Sequence, residues 1–324
     1  MQHPGGERLR DTALLAWLRE ARWLTRERMR GYARLFALAT ACVFVVRFAV
    51  RYDTDFLSFW AAGRLSLAGD PAAAYNVAAH WAMERAQIPG SGYFSFFYPP
   101  VYLLLCLPLA MLPFYGAMFV FVAGQLLAYV GVMRALLPRA GMALFGFPGV
   151  AMAVDAAQNG LLTTSLFGGA LLALPRRPVV AGICFGCLCY KPHLGLAIPL
   201  ALLAARQWRC LTAAAATVAV LVAASVAAFG IATWRGFLAG LPLARLTLQH
   251  GLARNINWES AYRAVAQALV AAAACAAVLV ACWRRPAVIA GVLPMASLLV
   301  TPFLLVYDLA LVAIPMAWVV AAAR

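Results

Sequence analysis

Long apolar runs separated by short loops constrain the fold of this chain more than any single motif does. Of the 324 residues, 65% are hydrophobic and 11% are charged, which is far from the composition of a soluble domain. Runs of this length enter lipid as helices, because each helix satisfies its own backbone polar groups. The alternating strands of about ten residues that mark a membrane barrel do not occur. The sequence therefore predicts an all-α, polytopic transmembrane helical bundle.

Arginine marks one side of the predicted membrane protein. The net charge is +15, and the arginines lie mostly in short loops, which is the positive-inside pattern rather than a nucleic-acid footprint. Residues 1–31 form an Arg-rich amphipathic segment that we expect at the cytoplasmic face, with a solvated tail as the alternative. Because a polar stretch precedes the first apolar run, we expect no signal peptide.

The same arginines predict the topology of residues 32–324, the membrane domain. A first span over residues 32–50 leads into a polar segment, residues 51–98, which is the predicted first extracytoplasmic loop. Residues 101–137 are apolar but broken at Pro108 and Pro113, and we interpret them as one crossing. This interpretation gives about ten spans in total, within a range of nine to eleven.

Three later apolar hairpins are bracketed by arginines, with tips at residues 155–160, 190–193 and 301–308. If arginine marks the inside, all three tips lie outside, together with the first loop and the polar segment 233–263. Several hairpin arms have too few residues for a full crossing, so the tips are expected to line a cavity below the outer surface.

Polar residues at membrane depth are costly unless they face water, a partner or a substrate. The candidates on the predicted outer side are Asp53, Asp55, Tyr98, Gln158, Asn159, Lys191, His193, Tyr307 and Asp308. A carboxylate supplies a general base, and Lys191 and His193, with Arg51, Arg254 or Arg47, supply cations for a phosphate. The pattern indicates a phospholipid-linked substrate at the outer leaflet.

Each candidate also has a structural interpretation. Asp53 or Asp55 would cap the following helix, and Lys191 would be a snorkelling anchor. Asp308 would pair with an arginine, and Gln158 and Asn159 would only tie helix ends. No cofactor and no metal site are expected, since Cys184, Cys187 and Cys189 lie in an apolar run without a histidine or a second pair.

An ordered series of short segments carries a family resemblance. These segments are Asp55-Phe-Leu-Ser-Phe-Trp-Ala-Ala-Gly-Arg64, residues 68–72 with Tyr75, Tyr98-Pro-Pro100, residues 107–110, Gln158-Asn-Gly160, Ala181-Gly182 through Tyr190-Lys-Pro192, and Pro302 through Tyr307-Asp308. Together they resemble glycosyltransferase family 87, the polyprenol-phosphate-mannose-dependent mannosyltransferases. The resemblance implies a GT-C type helical fold in the inner (plasma) membrane, with a cytoplasmic N-terminus and an extracytoplasmic active site.

The resemblance also implies an activity. The enzyme would transfer a hexose, in this family mannose, from a polyprenyl-phosphate donor to a cell-envelope lipid or glycan acceptor, usually with inversion. Asp55 matches the family's catalytic acid, with Asp53 as its rival, and Lys191 with His193 would stabilise the departing phosphate. A histidine at 193 departs from the glutamine expected in relatives. The alternatives are a transporter or flippase of lipid-linked sugar and a non-catalytic envelope scaffold.

Overall fold

Helices form the protein, as the sequence predicts. The computed structural model describes residues 25–50, 54–138, 144–250, 258–301 and 305–322, and these contain no strand. The α-helices are α1 Arg26–Val50, α2 Phe56–Leu67, α3 Val77–Gln87, α4 Leu103–Ala110, α5 Phe114–Leu136, α6 Pro148–Asp155, α7 Gly160–Ala173, α8 Pro178–Cys187, α9 Pro192–Gly195, α10 Ala197–Ala204, α11 Trp208–His250, α12 Trp258–Arg284, α13 Ile289–Val300 and α14 Ala313–Ala322. The 3₁₀ helices are Pro71–Tyr75, Pro100–Tyr102, Leu188–Tyr190, Pro286–Val288 and Val306–Val312.

Several helices are apolar enough to enter a membrane. Within the described residues, Phe114–Leu136, Trp208–Leu243 and Val265–Arg284 are also long enough to cross it. The helices of the predicted hairpins are shorter; α7, for example, has 14 residues, and at about 1.5 Å per residue it is shorter than a hydrocarbon core of about 30 Å. The chain is therefore a helical membrane protein, and the number of about ten spans remains a prediction.

The apolar stretch after the first polar segment is broken, as expected, but at one point rather than two. Helix α4 ends at Ala110, and Pro113 occupies the position before α5. Pro108 lies inside α4, so it does not end that helix as the sequence suggested. With 8 residues α4 is too short to cross, whereas α5 has 23 and spans about 34 Å.

The expected polar segment 233–263 is largely helical, which corrects the sequence interpretation. Helix α11 continues to His250. Its backbone changes direction at Gly230, where φ is +76°, a conformation that residues with a Cβ rarely adopt. The helix resumes beyond the glycine, so the polar residues that follow lie on a helix. Residues 251–257, which include Arg254, lie outside the described residues.

Small residues allow the central helices to approach closely. A Cβ added to Gly63 of α2 would overlap the backbone carbonyl oxygen of Cys106 in α4, and one added to Gly182 of α8 would overlap that of Cys210 in α11. Contacts of this kind are typical of helix pairs in membranes. Helix α2 belongs to the predicted polar segment, residues 51–98, yet it is buried on nearly all sides. Its N-terminal end therefore places Asp55 within the body of the protein.

Candidate active site

The three predicted hairpin tips meet in one cluster. A Cβ added to Gly160, at the start of α7, would overlap the carbonyl oxygen of Tyr307, so the first and third tips are in direct contact. The Tyr190 hydroxyl lies 2.8 Å from Thr163 Oγ1 of α7, which joins the second tip to the first. The structure thus brings the three tips into contact, and their location on the outer side of the membrane stays a prediction.

The glycine at 160 is expected to be essential for this contact. Gly160→Ala should lower the free energy of unfolding by about 1–3 kcal/mol, because the added Cβ meets backbone that cannot rotate away. Gly131→Ala in α5 is the matched control, since nothing lies within 4 Å of its added Cβ, and it should be neutral or stabilising. Thermal unfolding in detergent, followed by tryptophan fluorescence, would measure both. Equal stability of the two variants would contradict the close contact.

Asp55 enters the cluster through its side chain. It occupies the position before α2 but forms no capping hydrogen bond with its carboxylate, so the capping interpretation is wrong for this residue. Instead, Gln158 Nε2 donates a hydrogen bond to Asp55 Oδ2 over 3.2 Å. Asp55 as a residue is half-buried. The first hairpin tip thus orients its side chain.

The orientation of the Gln158 amide is fixed by two donors. The Tyr98 hydroxyl and the Asn159 backbone N–H each donate to Gln158 Oε1 over 3.2 Å. The amide oxygen therefore faces these donors and the amide N–H₂ faces Asp55. Burial raises the pKa of Tyr98 well above its usual value, so its hydroxyl remains a donor. Gln158 is more than a tie between helix ends.

Tyr102 completes the wall of the site, and the sequence interpretation did not single it out. Tyr102 stacks between Tyr98 and Tyr190, with ring centroids 4.6 and 5.0 Å away, and its hydroxyl accepts a hydrogen bond of 3.1 Å from Asn159 Nδ2. The four-residue spacing of Tyr98 and Tyr102 is a helical signal, but Pro99 and Pro100 between them obscured it.

Lys191 and Asp308 form a buried ion pair. Each is 2% exposed, Lys191 Nζ donates to Asp308 Oδ1, and the ammonium lies 5.0 Å from the centre of the Tyr307 ring. Lys191 therefore does not snorkel, and Asp308 pairs with a lysine rather than an arginine. Asp308 Oδ2 is buried and has no hydrogen-bond partner among the described residues. Lys191 is also the single lysine among 26 basic residues, a signal that composition alone could have given.

Tyr307 joins the two halves of the site. Its carbonyl oxygen lies against Gly160, next to Asn159, and its ring centre lies 5.0 Å from the Lys191 ammonium. His193, half-buried at the start of α9, lies two residues beyond Lys191. The structure thus brings together all the candidates that it describes: Asp55, Tyr98, Gln158, Asn159, Lys191, His193, Tyr307 and Asp308.

Four candidates lie wholly or partly outside the described residues. Arg51, Asp53 and Arg254 are not among these residues, and of Arg47 only the backbone is described. In the part of the chain that is described, no group of three or more His, Cys, Asp or Glu side chains is arranged to hold a metal ion. The site presents an oriented carboxylate, a buried ammonium and an aromatic wall.

Comparison with known proteins identifies this part of the chain. The model of glycosyltransferase family 87 matches residues 96–307, which is more than half of the chain. That match includes Tyr98, Gln158, Lys191 and Tyr307, but it begins after Asp55 and ends before Asp308. No curated protein and no solved structure matches the chain.

Proposed function

The chain belongs to glycosyltransferase family 87, and from this premise we propose that it takes a hexose, mannose, from a polyprenyl-phosphate donor. The acceptor is a lipid or glycan of the cell envelope. The reaction takes place on the extracytoplasmic side of the inner (plasma) membrane, with the N-terminus in the cytoplasm. The distribution of arginine in short loops supports this orientation.

One observation carries the proposal: an oriented carboxylate and a fixed ammonium belong to the same cluster of hairpin tips. Gln158 holds Asp55 and Asp308 holds Lys191. Tyr307 links the tips, because its ring lies beside the Lys191 ammonium and its carbonyl oxygen lies against Gly160. A displacement at a sugar carbon needs a group that removes a proton on one side and a group that stabilises a leaving anion on the other. The presence of both groups in one cluster of hairpin tips meets that need.

In the proposed reaction, Asp55 acts as the general base. The acceptor hydroxyl oxygen bonds to the anomeric carbon of the sugar while its proton passes to an Asp55 carboxylate oxygen. The bond between the anomeric carbon and the phosphate oxygen breaks, and its electron pair remains on the lipid phosphate. Because the acceptor attacks directly, the configuration at the anomeric carbon inverts. Asp53 stays the rival for the role of the base.

Lys191 stabilises the departing phosphate in this scheme. An ammonium group has three N–H donors, and Asp308 Oδ1 accepts one of them. Asp308 therefore fixes the ammonium, while the remaining donors serve the phosphate oxygens. Asp308 Oδ2, which is buried without a partner among the described residues, is suited to accept from a sugar hydroxyl. His193, Arg51 and Arg254 are the further candidates for phosphate binding.

The test is sugar transfer by the purified protein in nanodiscs. Polyprenyl-phosphate mannose, polyprenyl-phosphate glucose and GDP-mannose, each radiolabelled in the sugar, would be supplied with a membrane lipid extract. We expect label to move from polyprenyl-phosphate mannose and not from GDP-mannose. Transfer from GDP-mannose alone would refute the lipid-phosphate donor. Movement of intact labelled lipid across liposomes, without transfer, would establish the transporter alternative instead.

A further inference from the structure

The segment that delivers Tyr98 to the site has no regular secondary structure. Residues 89–98 follow α3 without forming a helix or a strand, so their backbone groups need partners from elsewhere. Tyr98 nevertheless makes the hydrogen bond that orients the Gln158 amide. Something must hold this segment in register with the site, and the residues that do so lie on the helices immediately before it.

Glu84 holds the beginning of the segment. It is completely buried on α3, and its Oε2 accepts a hydrogen bond of 3.1 Å from the backbone N–H of Phe94. His80, one turn earlier and equally buried, places Nε2 3.2 Å from Glu84 Oε1, although without hydrogen-bond geometry. The His80 ring stacks on Phe96, with centroids 6.2 Å apart. Burying a carboxylate is costly unless it is bonded, which indicates a specific task for Glu84.

Tyr75 holds the end of the segment. It ends the 3₁₀ helix Pro71–Tyr75, and its hydroxyl donates to the carbonyl oxygen of Tyr98 over 2.9 Å. Its ring also packs against Phe96, with centroids 5.7 Å apart. The segment is thus fastened at Phe94 by Glu84 and at Tyr98 by Tyr75, and both contacts are made by side chains far from the three hairpin tips in sequence.

Hydrogen bonds continue from this segment to the carboxylate. Tyr75 bonds to the Tyr98 carbonyl, the Tyr98 hydroxyl bonds to Gln158 Oε1, and Gln158 Nε2 bonds to Asp55. We propose that Tyr75 and Glu84 are positioning residues for the transfer reaction: they fix Tyr98, which fixes the Gln158 amide, which aims the Asp55 carboxylate. The inference rests on the proposed function, since it assigns a task within the same site.

The first test compares two tyrosine variants that lose the same kind of bond. Tyr75→Phe removes one hydroxyl, and we expect kcat to fall about tenfold with KM changed less than about twofold, because the base is misaligned rather than removed. Tyr129→Phe is the control: its buried hydroxyl also donates to a backbone carbonyl, that of Leu144, over 3.2 Å. It should keep wild-type kcat. Equal kcat values for the two variants would overturn the proposal.

Glu84 provides a rescue experiment. Glu84→Ala removes the acceptor for the Phe94 N–H and should lower kcat about tenfold. Glu84→Gln keeps an acceptor oxygen of the same reach and should restore most of that loss. A Gln variant as impaired as the Ala variant, at equal thermal stability, would contradict a positioning task that works through this hydrogen bond.

A readout independent of activity separates this inference from the proposed function. The Asn159 N–H donates to Gln158 Oε1, so hydrogen exchange at Asn159 reports the orientation of the Gln158 amide. Tyr75→Phe should accelerate exchange at residues 93–98 and at Asn159, and Tyr129→Phe should leave both unchanged. If wild type transfers no sugar, the proposed function fails, and this exchange result decides the positioning inference alone. Unchanged exchange at Asn159 in Tyr75→Phe would refute it.

Discussion

Asp55→Asn is expected to lower sugar transfer by about 10²- to 10⁴-fold, the usual contribution of a general base. The amide cannot accept the proton of the acceptor hydroxyl. Its oxygen can still accept the hydrogen bond that Gln158 Nε2 donates to Asp55, so the fold should be retained. Transfer from polyprenyl-phosphate mannose would be measured in nanodiscs, and the size-exclusion profile and thermal midpoint would confirm folding.

Two further substitutions make this result specific. Asp70→Asn is the matched control, because Asp70 is exposed and its carboxylate serves only as the cap of a 3₁₀ helix in the described structure, accepting from the Ala73 N–H. It should retain wild-type transfer. Asp53→Asn tests the rival base. Loss of transfer in Asp53→Asn alone would move the catalytic task to that residue, and full transfer by Asp55→Asn would end the assignment to Asp55.

Lys191→Met is expected to lower both stability and transfer. It leaves Asp308 charged and buried, and breaking a buried ion pair in this way typically costs about 3–5 kcal/mol. The double variant Lys191→Met with Asp308→Leu removes both charges and should recover most of the stability. A buried ion pair contributes little more to the free energy of unfolding than well-packed apolar side chains do. Transfer should stay at least about a hundredfold below wild type, because the ammonium that meets the phosphate is absent.

Thermal unfolding and transfer would be measured on the same preparations. Lys191→Arg serves as the charge-conserving control: its larger planar group does not fit the place of a compact ammonium between Asp308 and the Tyr307 ring. We expect it to be impaired as well. If the double variant regained transfer along with stability, Lys191 would be a structural residue only.

The sequence predicted the parts of the site better than their arrangement. Gln158, Lys191 and Asp308 stood out because they interrupt apolar runs, where polar groups need a reason. The pairing of Lys191 with Asp308 was not predictable, since the two are 117 residues apart and an arginine was an equally good partner. The buried ion pair comes from the contact of two hairpin tips, which only the packing of whole helices determines.

The burial of residues in the first polar segment was not predictable for a similar reason. His80 and Glu84 lie one turn apart on α3, a spacing typical of an exposed helix face, yet both are completely buried beneath the aromatic segment that follows. Helix α11 likewise continues well into the polar segment expected over residues 233–263. Local sequence patterns identified helices and turns. The burial of His80 and Glu84 depends on which segment packs over α3, and local patterns do not encode this.

Lys191 is the single lysine of the chain, and all the other strongly basic side chains are arginines. This composition gives experimental access to the site. Reagents that acylate primary amines ignore guanidinium groups, so among the side chains of this protein they have one target. That amine is 2% exposed and bound to Asp308, so acylation at this position should be slow while the hairpin tips stay in contact. The labelling rate of a single peptide, followed by mass spectrometry, would therefore record how often the tips separate, and how donor lipids or inhibitors change that frequency, in unmodified wild-type protein.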